Sequence, residues 1–160
     1  MTTHSLQAAW ITSAAFRPFG QLICASEDGA PYGKDDAQLR LQNGIPRFYI
    51  MRLQHRGCTF DRITRHQRCT QCLGALQGKD WLLAVAPPSA EAQPDLGAIA
   101  AFRIPGDCFI KLNIGTWHAG PYFTTDVIDF YNLELSDTNL TDHETFNLKA
   151  AYGNDFEIVF

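Results

Sequence analysis

Apolar and polar positions alternate over short runs in this chain, and glycine, proline or small polar residues bound each run. Arg47-Phe-Tyr-Ile-Met-Arg-Leu53 is rich in aromatic and β-branched side chains and predicts a strand. Cys69–Leu76, Trp81–Ala86, Phe109–Asn113 and Val127–Leu135 predict further short strands, and Phe156-Glu-Ile-Val-Phe160 a last one. Helix signals are few. Thr12 or Ser13 is placed to cap a short helix through Phe16, with Gly20 just beyond it. Pro94-Asp95 predicts the start of another, with Leu96, Ile99 and Phe102 on one face. Glu27–Gln38, Pro87–Glu91 and Asp137–Glu144 read as loops. Many short strands with little helix predict an all-β sandwich or barrel, a small antiparallel barrel or jelly roll. A barrel of this size can hold one small ligand, bound by polar side chains on inward strand positions.

At 160 residues the chain is expected to form one domain spanning 1–160, since no segment beside any loop is large enough to fold alone. Thirteen Lys and Arg against seventeen Asp and Glu give a net charge of −4, which argues against nucleic acid as a partner. No apolar run reaches the roughly 18 residues of a membrane helix, so no membrane partner is expected. Residues 1–10 lack the basic start and apolar core of a secretory signal. The five cysteines are an odd number, which favours free thiols and a cytoplasmic setting. Cys69-Thr-Gln-Cys72 is the one CxxC, and it lacks the second pair that a structural zinc site needs. Charge is uneven. Arg47, Arg52, Arg56, Arg62, Arg65 and Arg68 face only Asp61 within their stretch, whereas the chain from Asp126 onward holds eight acids and one lysine. These are either two solvated surfaces of opposite sign, or some of the arginines line a cavity and bind a small anion.

Three stretches carry candidate chemistry: Arg65-His66 through Thr70-Gln71, Asn113 through Trp117-His118 to Pro121, and Asp129-Phe130-Tyr131-Asn132. With these in view the chain resembles the ureidoglycolate lyase family. Phe16-Arg-Pro-Phe19-Gly20, Asn43-Gly44 with Arg47, Arg65-His66 with Thr70-Gln71, and Pro94-Asp95-Leu96 with Phe102 match its pattern in order. Gly115-Thr116-Trp117-His118, Pro121 and Asp129-Phe130 complete the match. Thr64 stands where many relatives carry Glu, Asn113 where some carry His, and Glu134-Leu135 where relatives often carry Asp-Arg.

The resemblance implies a cupin-like double-stranded β-helix (jelly-roll) barrel with a few short helices. It implies cleavage of ureidoglycolate to glyoxylate and urea in allantoin and purine breakdown, a homodimer, and association with a divalent metal such as nickel. The alternative is a divergent cupin that acts on or binds another small carboxylic acid, with a metal on His66, Gln71 and His118 in one version. Ureidoglycolate is a hemiaminal, so its cleavage needs a base, an acid and a cation for the carboxylate. His118 is the expected base, since an imidazole titrates near cellular pH. His66 is expected as acid or partner, and Asp129 as the carboxylate that orients a histidine. Arg47, Arg65 or Lys111 would hold the carboxylate, with Asn113, Gln71 and Trp117 as further substrate contacts. Arg65 and His66 are adjacent, so on a regular strand only one of them can face inward.

Overall fold

A computed structural model describes residues 2–160. Thirteen strands and three short helices follow the chain as β1 (Thr2–Trp10), α1 (Ser13–Phe16), β2 (Gly20–Ile23), β3 (Pro46–Gln54), β4 (Thr59–Phe60), β5 (Arg62–Arg65), β6 (Gln71–Ala75) and β7 (Gly78–Ala86). After a 3-10 turn at Leu96–Ala98 come β8 (Ala100–Gly106), β9 (Phe109–Leu112), β10 (Trp117–Tyr122) and β11 (Val127–Leu135). The chain ends with α2 (Thr138–Thr141), β12 (Glu144–Asn147), α3 (Leu148–Tyr152) and β13 (Asn154–Val159). The all-β expectation and the strands read from residues 47–53, 81–86, 109–113 and 127–135 match this order.

One expectation is corrected. Pro94-Asp95 opens only the 3-10 turn, where the Asp95 side chain accepts from the Gly97 amide; Ile99 is its C-cap and Phe102 lies on β8. The spacing of Leu96, Ile99 and Phe102 imitated a helix because a turn and a strand follow one another there. The terminal strand, β13, is paired inside its own sheet, parallel to β1 and antiparallel to β4, with Phe156 and Ile158 buried. Its apolar side chains therefore need no second chain.

The strands form an eight-stranded sheet, in the order β12-β5-β10-β7-β8-β1-β13-β4, and a five-stranded sheet, β2-β9-β6-β11-β3. The five-stranded sheet lies against one face of the larger one. Leu83, Val85, Ile104, Leu73, Ile110, Ile128 and Phe130 fill the space between them. The other face of the larger sheet curls on itself around a second core of Ile63, Leu82, Ala84, Trp117, Ala119, Leu148 and Phe156. Each large side chain so buried contributes about 1.5–3 kcal/mol. Strand alternation sorts residues between the two cores: Leu83 and Val85 face the first, Leu82, Ala84 and Ala86 the second. Gly20 is required where β2 meets β9, because a Cβ there would fall on the Lys111 carbonyl.

Arg65 is the largest polar commitment on the second-core side. Its side chain is 4% exposed and grips Glu144 through Nε and Nη2, both at 2.9 Å. Its Nη1 donates to the carbonyls of Ser89 and Glu91, and the guanidinium lies 4.4 Å from the Trp117 ring centre. Truncation would leave two carbonyls and a carboxylate short of a donor. Arg65→Met is therefore expected to lose roughly 2–4 kcal/mol in denaturant unfolding. A loss below about 0.5 kcal/mol, the scatter of a neutral surface change, would contradict this anchoring role.

Candidate active site

Three imidazoles meet at one end of the space between the sheets. The ring of His66 lies 5.0 Å from that of His118 and 5.6 Å from that of His143, centre to centre. Alternation explains the first meeting. On β10, Trp117 and Ala119 enter the second core, so His118 between them points the other way, level with Val85 of the first core. On β5, Ile63 and Arg65 turn toward the second core, and Thr64 faces the site directly opposite His118. Thr145 of β12 pairs with Thr64, and their hydroxyls are 3.0 Å apart.

His66 leaves β5 into a turn that Asp142 holds from behind. The buried Asp142 carboxylate accepts from the amides of Gln67 at 2.7 Å and Arg68 at 2.8 Å. The Asp142 carbonyl lies 2.6 Å from His66 Nδ1. A carbonyl only accepts, so Nδ1 carries the proton and Nε2 presents a lone pair. Burial lowers the tendency of His66 to take a second proton, against the opposing pull of that carbonyl and of Glu134. His118 is pushed down to about 3, chiefly by burial and secondly by His66; its Nδ1 is 3.4 Å from the Thr116 carbonyl, a long contact. Both rings are therefore neutral bases at cellular pH.

A cavity of about 460 Å³ opens beside these groups, lined by His118, His143, Thr64, Thr145, Arg56 and Arg62, among others. Arg56 lies 5.0 Å from the centre of the Tyr122 ring, and Arg62 is 3.9 Å from Asp61. Two arginines thus border the candidate base. A hollow of about 610 Å³ between β2 and the loop after it is lined by Arg17, Gln21, Asp35 and Asp36, among others, with no histidine.

β3, β6 and β11 contribute a polar wall, whose Glu134 acts electrostatically on His66. Gln71 Nε2 donates to Asn132 Oδ1 at 3.1 Å and to Glu134 Oε2 at 3.2 Å. Asn132 Nδ2 donates to the Tyr49 hydroxyl at 3.1 Å, and that hydroxyl donates to Glu134 Oε1 at 3.2 Å. Gln71, Asn132 and Glu134 are buried. Arg47 lies over the Tyr49 ring, 3.6 Å from its centre, at the exposed rim of this wall.

The residues expected from sequence therefore divide. His66, His118, Gln71 and Arg47 lie at this end of the barrel. Arg65 and Trp117 turn into the second core instead. Asp129 sits on the outer face of β11, where Arg52 grips it through two bonds at 2.8 and 2.9 Å, so it orients no histidine. Lys111 lies on the outer face of β9 and is buried there, donating to Asn113 Oδ1 at 2.6 Å. Its electrostatic neighbours are Cys72 and Arg40. Sequence reasoning missed Tyr49, Glu134, His143, Asp142, Arg56 and Arg62 as site groups. The signal for Glu134 was present: it shares a strand face with Asn132 and the buried Phe130.

The divalent metal implied by resemblance needs converging ligands. Among the described residues no group of three or more His, Cys, Asp or Glu side chains is disposed to hold an ion. The Glu134 carboxylate is engaged by Tyr49 and Gln71, and the three imidazoles are not disposed as a ligand set. These residues do not fit the ion.

Two facing curled sheets with a polar, histidine-lined end define an all-β protein with its candidate site at that end. The family described as ureidoglycolate lyase matches residues 3–153, and the chain belongs to that family. No curated protein matches. Among solved structures, an oxalate decarboxylase studied for its substrate binding mode and reaction specificity is similar with a TM-score of 0.43 and 8% identity. That similarity covers 66% of this chain and 24% of the other, so the chain spans about a quarter of that protein's length. No helix among the described residues is long and apolar enough to cross a membrane.

The depressed affinity of His118 for protons has a consequence for stability. Unfolded, its pKa returns to about 6.5; folded, it lies at about 3. Between those values the unfolded chain binds more protons, so stability is complete above about pH 6.5 and declines as pH falls toward 3. Thermal unfolding is expected to show a steeper loss of Tm from pH 7 to pH 5 in the wild type than in His118→Gln. Parallel curves would show that His118 titrates normally.

Proposed function

We propose that this protein cleaves ureidoglycolate to glyoxylate and urea, with His118 as the proton-transferring group. The observation that carries this reading is the His118 imidazole beside two arginines in one cavity. The arginines supply what a carboxylate needs, and Arg62 with Arg56 replaces Arg65 and Lys111 as its holder. The imidazole supplies the rest. His118 takes the proton of the substrate hydroxyl, the oxygen closes to a carbonyl, and the carbon–nitrogen bond breaks. The departing urea nitrogen takes a proton from the imidazolium, which a site that disfavours charge on His118 makes a ready donor. One proton moves from oxygen to nitrogen, and the protein returns to its starting state. His66, with its free Nε2, is the neighbouring acceptor, and the Asp142 carbonyl fixes its tautomer as Asp129 cannot.

The cytoplasmic setting remains part of the proposal, as does the homodimer. Phe48 and Ile50 are 71% and 64% exposed on the outer face of β3, an edge strand, beside Tyr131. A second copy covering that strip would remove an apolar surface and a free strand edge from water. Sedimentation at micromolar concentration is expected to show twice the chain mass, and Ile50→Lys to yield monomer; a wild-type monomer would end this part of the reading.

The reaction is tested by following glyoxylate and urea release from racemic ureidoglycolate. Folded His118→Ala is expected to lose about 10²–10⁴ in kcat, whereas Arg62→Ala raises KM first. Near-wild-type turnover by His118→Ala would move the base role to His66.

A further inference from the structure

The polar wall formed by Gln71, Asn132, Tyr49 and Glu134 is a closed ring of hydrogen bonds with one atom left over. Gln71 Nε2 serves Asn132 and Glu134, Asn132 Nδ2 serves Tyr49, and the Tyr49 hydroxyl serves Glu134. These partners fix which way the Gln71 amide lies. Turned over, it would set its carbonyl oxygen against two other oxygens and leave Nε2 unused. Gln71 Oε1 is therefore the spare atom, and it is buried with no hydrogen-bond partner. Gln71 is itself only 7% exposed. It stands on the face of β6 that carries Leu73 toward the first core, away from the outer face where Lys111 lies. Buried acceptors without a donor are few in folded proteins, and one fixed by a complete network asks what donor completes it.

The surroundings define that donor. Both Glu134 oxygens are already engaged, one by Tyr49 and one by Gln71, so the free acceptor is the neutral amide oxygen. The carboxylate next to it repels an anionic group. A neutral N–H suits both features. We propose that Gln71 Oε1, held by the ring of Asn132, Tyr49 and Glu134, accepts a hydrogen bond from an amide or ureido N–H of the ligand. The site then reads a small molecule with a carboxylate at one end and an N–H donor at the other. This assignment rests on the lyase reading, in which the ureido end of the substrate supplies the donor.

Oxamate and pyruvate test it, since they are monoanions of the same shape in which an NH₂ replaces a CH₃. By calorimetry the wild type is expected to bind oxamate at least about tenfold more tightly, the discrimination open to a site built around an N–H. Gln71→Met is expected to bind both at the level of wild-type pyruvate. In the wild type, the Gln71 side-chain amide resonance is expected to shift with oxamate and stay in place with pyruvate. That readout decides the matter alone if Gln71→Met does not fold. Equal binding of both anions by the wild type overturns the assignment, as does an oxamate preference that survives in folded Gln71→Met. Oxamate preference lost in Gln71→Met, without turnover of ureidoglycolate, keeps the recognition and removes the reaction. Turnover without any oxamate preference does the reverse, and binding of neither anion removes the recognition.

Discussion

The cross-strand pairing of Thr64 with His118 fixes where everything else in the site can be. β5 and β10 lie between two cores, and side chains alternate between them along each strand. With Trp117 committed to the second core, His118 must face the first. With Arg65 committed to Glu144 and the Trp117 face, Thr64 must stand opposite His118. A one-residue slip of β5 would exchange Arg65 for Thr64 beside His118 and strand a guanidinium without its four donor contacts. The Arg65–Glu144 pair thus acts as a lock on register.

Proton chemistry follows from that placement. Two imidazoles with ring centres 5.0 Å apart, both drawn from water, resist a second charge. They stay neutral near pH 6.5, where an exposed histidine would be half protonated, so an imidazolium formed in turnover gives up its proton readily. Fixed charge is kept to the margins. Arg56 and Arg62 lie exposed on the cavity, and the Glu134 carboxylate is held in the wall by Tyr49 and Gln71. The interior is polarised in the sense that a carboxylate at one end and a neutral donor at the other would match.

Period-two alternation made the long strands legible, because Phe48–Leu53 and Val127–Leu135 each carry enough residues to show it. β5 and β12 have four residues each, too few for a periodic signal, and β12 lies in a polar stretch that begins as a loop. His143 was hidden by that same stretch. His118 and His66 were legible because a histidine among small and aromatic residues in a strand-rich chain is conspicuous. Asp129 misled for a related reason: its neighbour Phe130 is buried, but adjacency on a strand means the opposite face, and Asp129 meets Arg52 outside. Lys111 was equally placed by its neighbours, Ile110 and Leu112, on the side away from the first core. Arg56 and Arg62 were visible only as members of a basic run. Which of six arginines reaches a cavity depends on the curl that brings β4 beside β5, and no local pattern encodes that.

The cavity bounded by His118, Arg56 and Arg62 is the location on which the proposed chemistry depends. A crystal structure with oxamate bound measures it directly. The account predicts oxamate beside His118, its carboxylate within hydrogen-bond distance of Arg62 or Arg56 and its amide nitrogen on Gln71 Oε1. Oxamate seated in the hollow between β2 and the following loop, with the histidine-lined cavity holding only water, would contradict it.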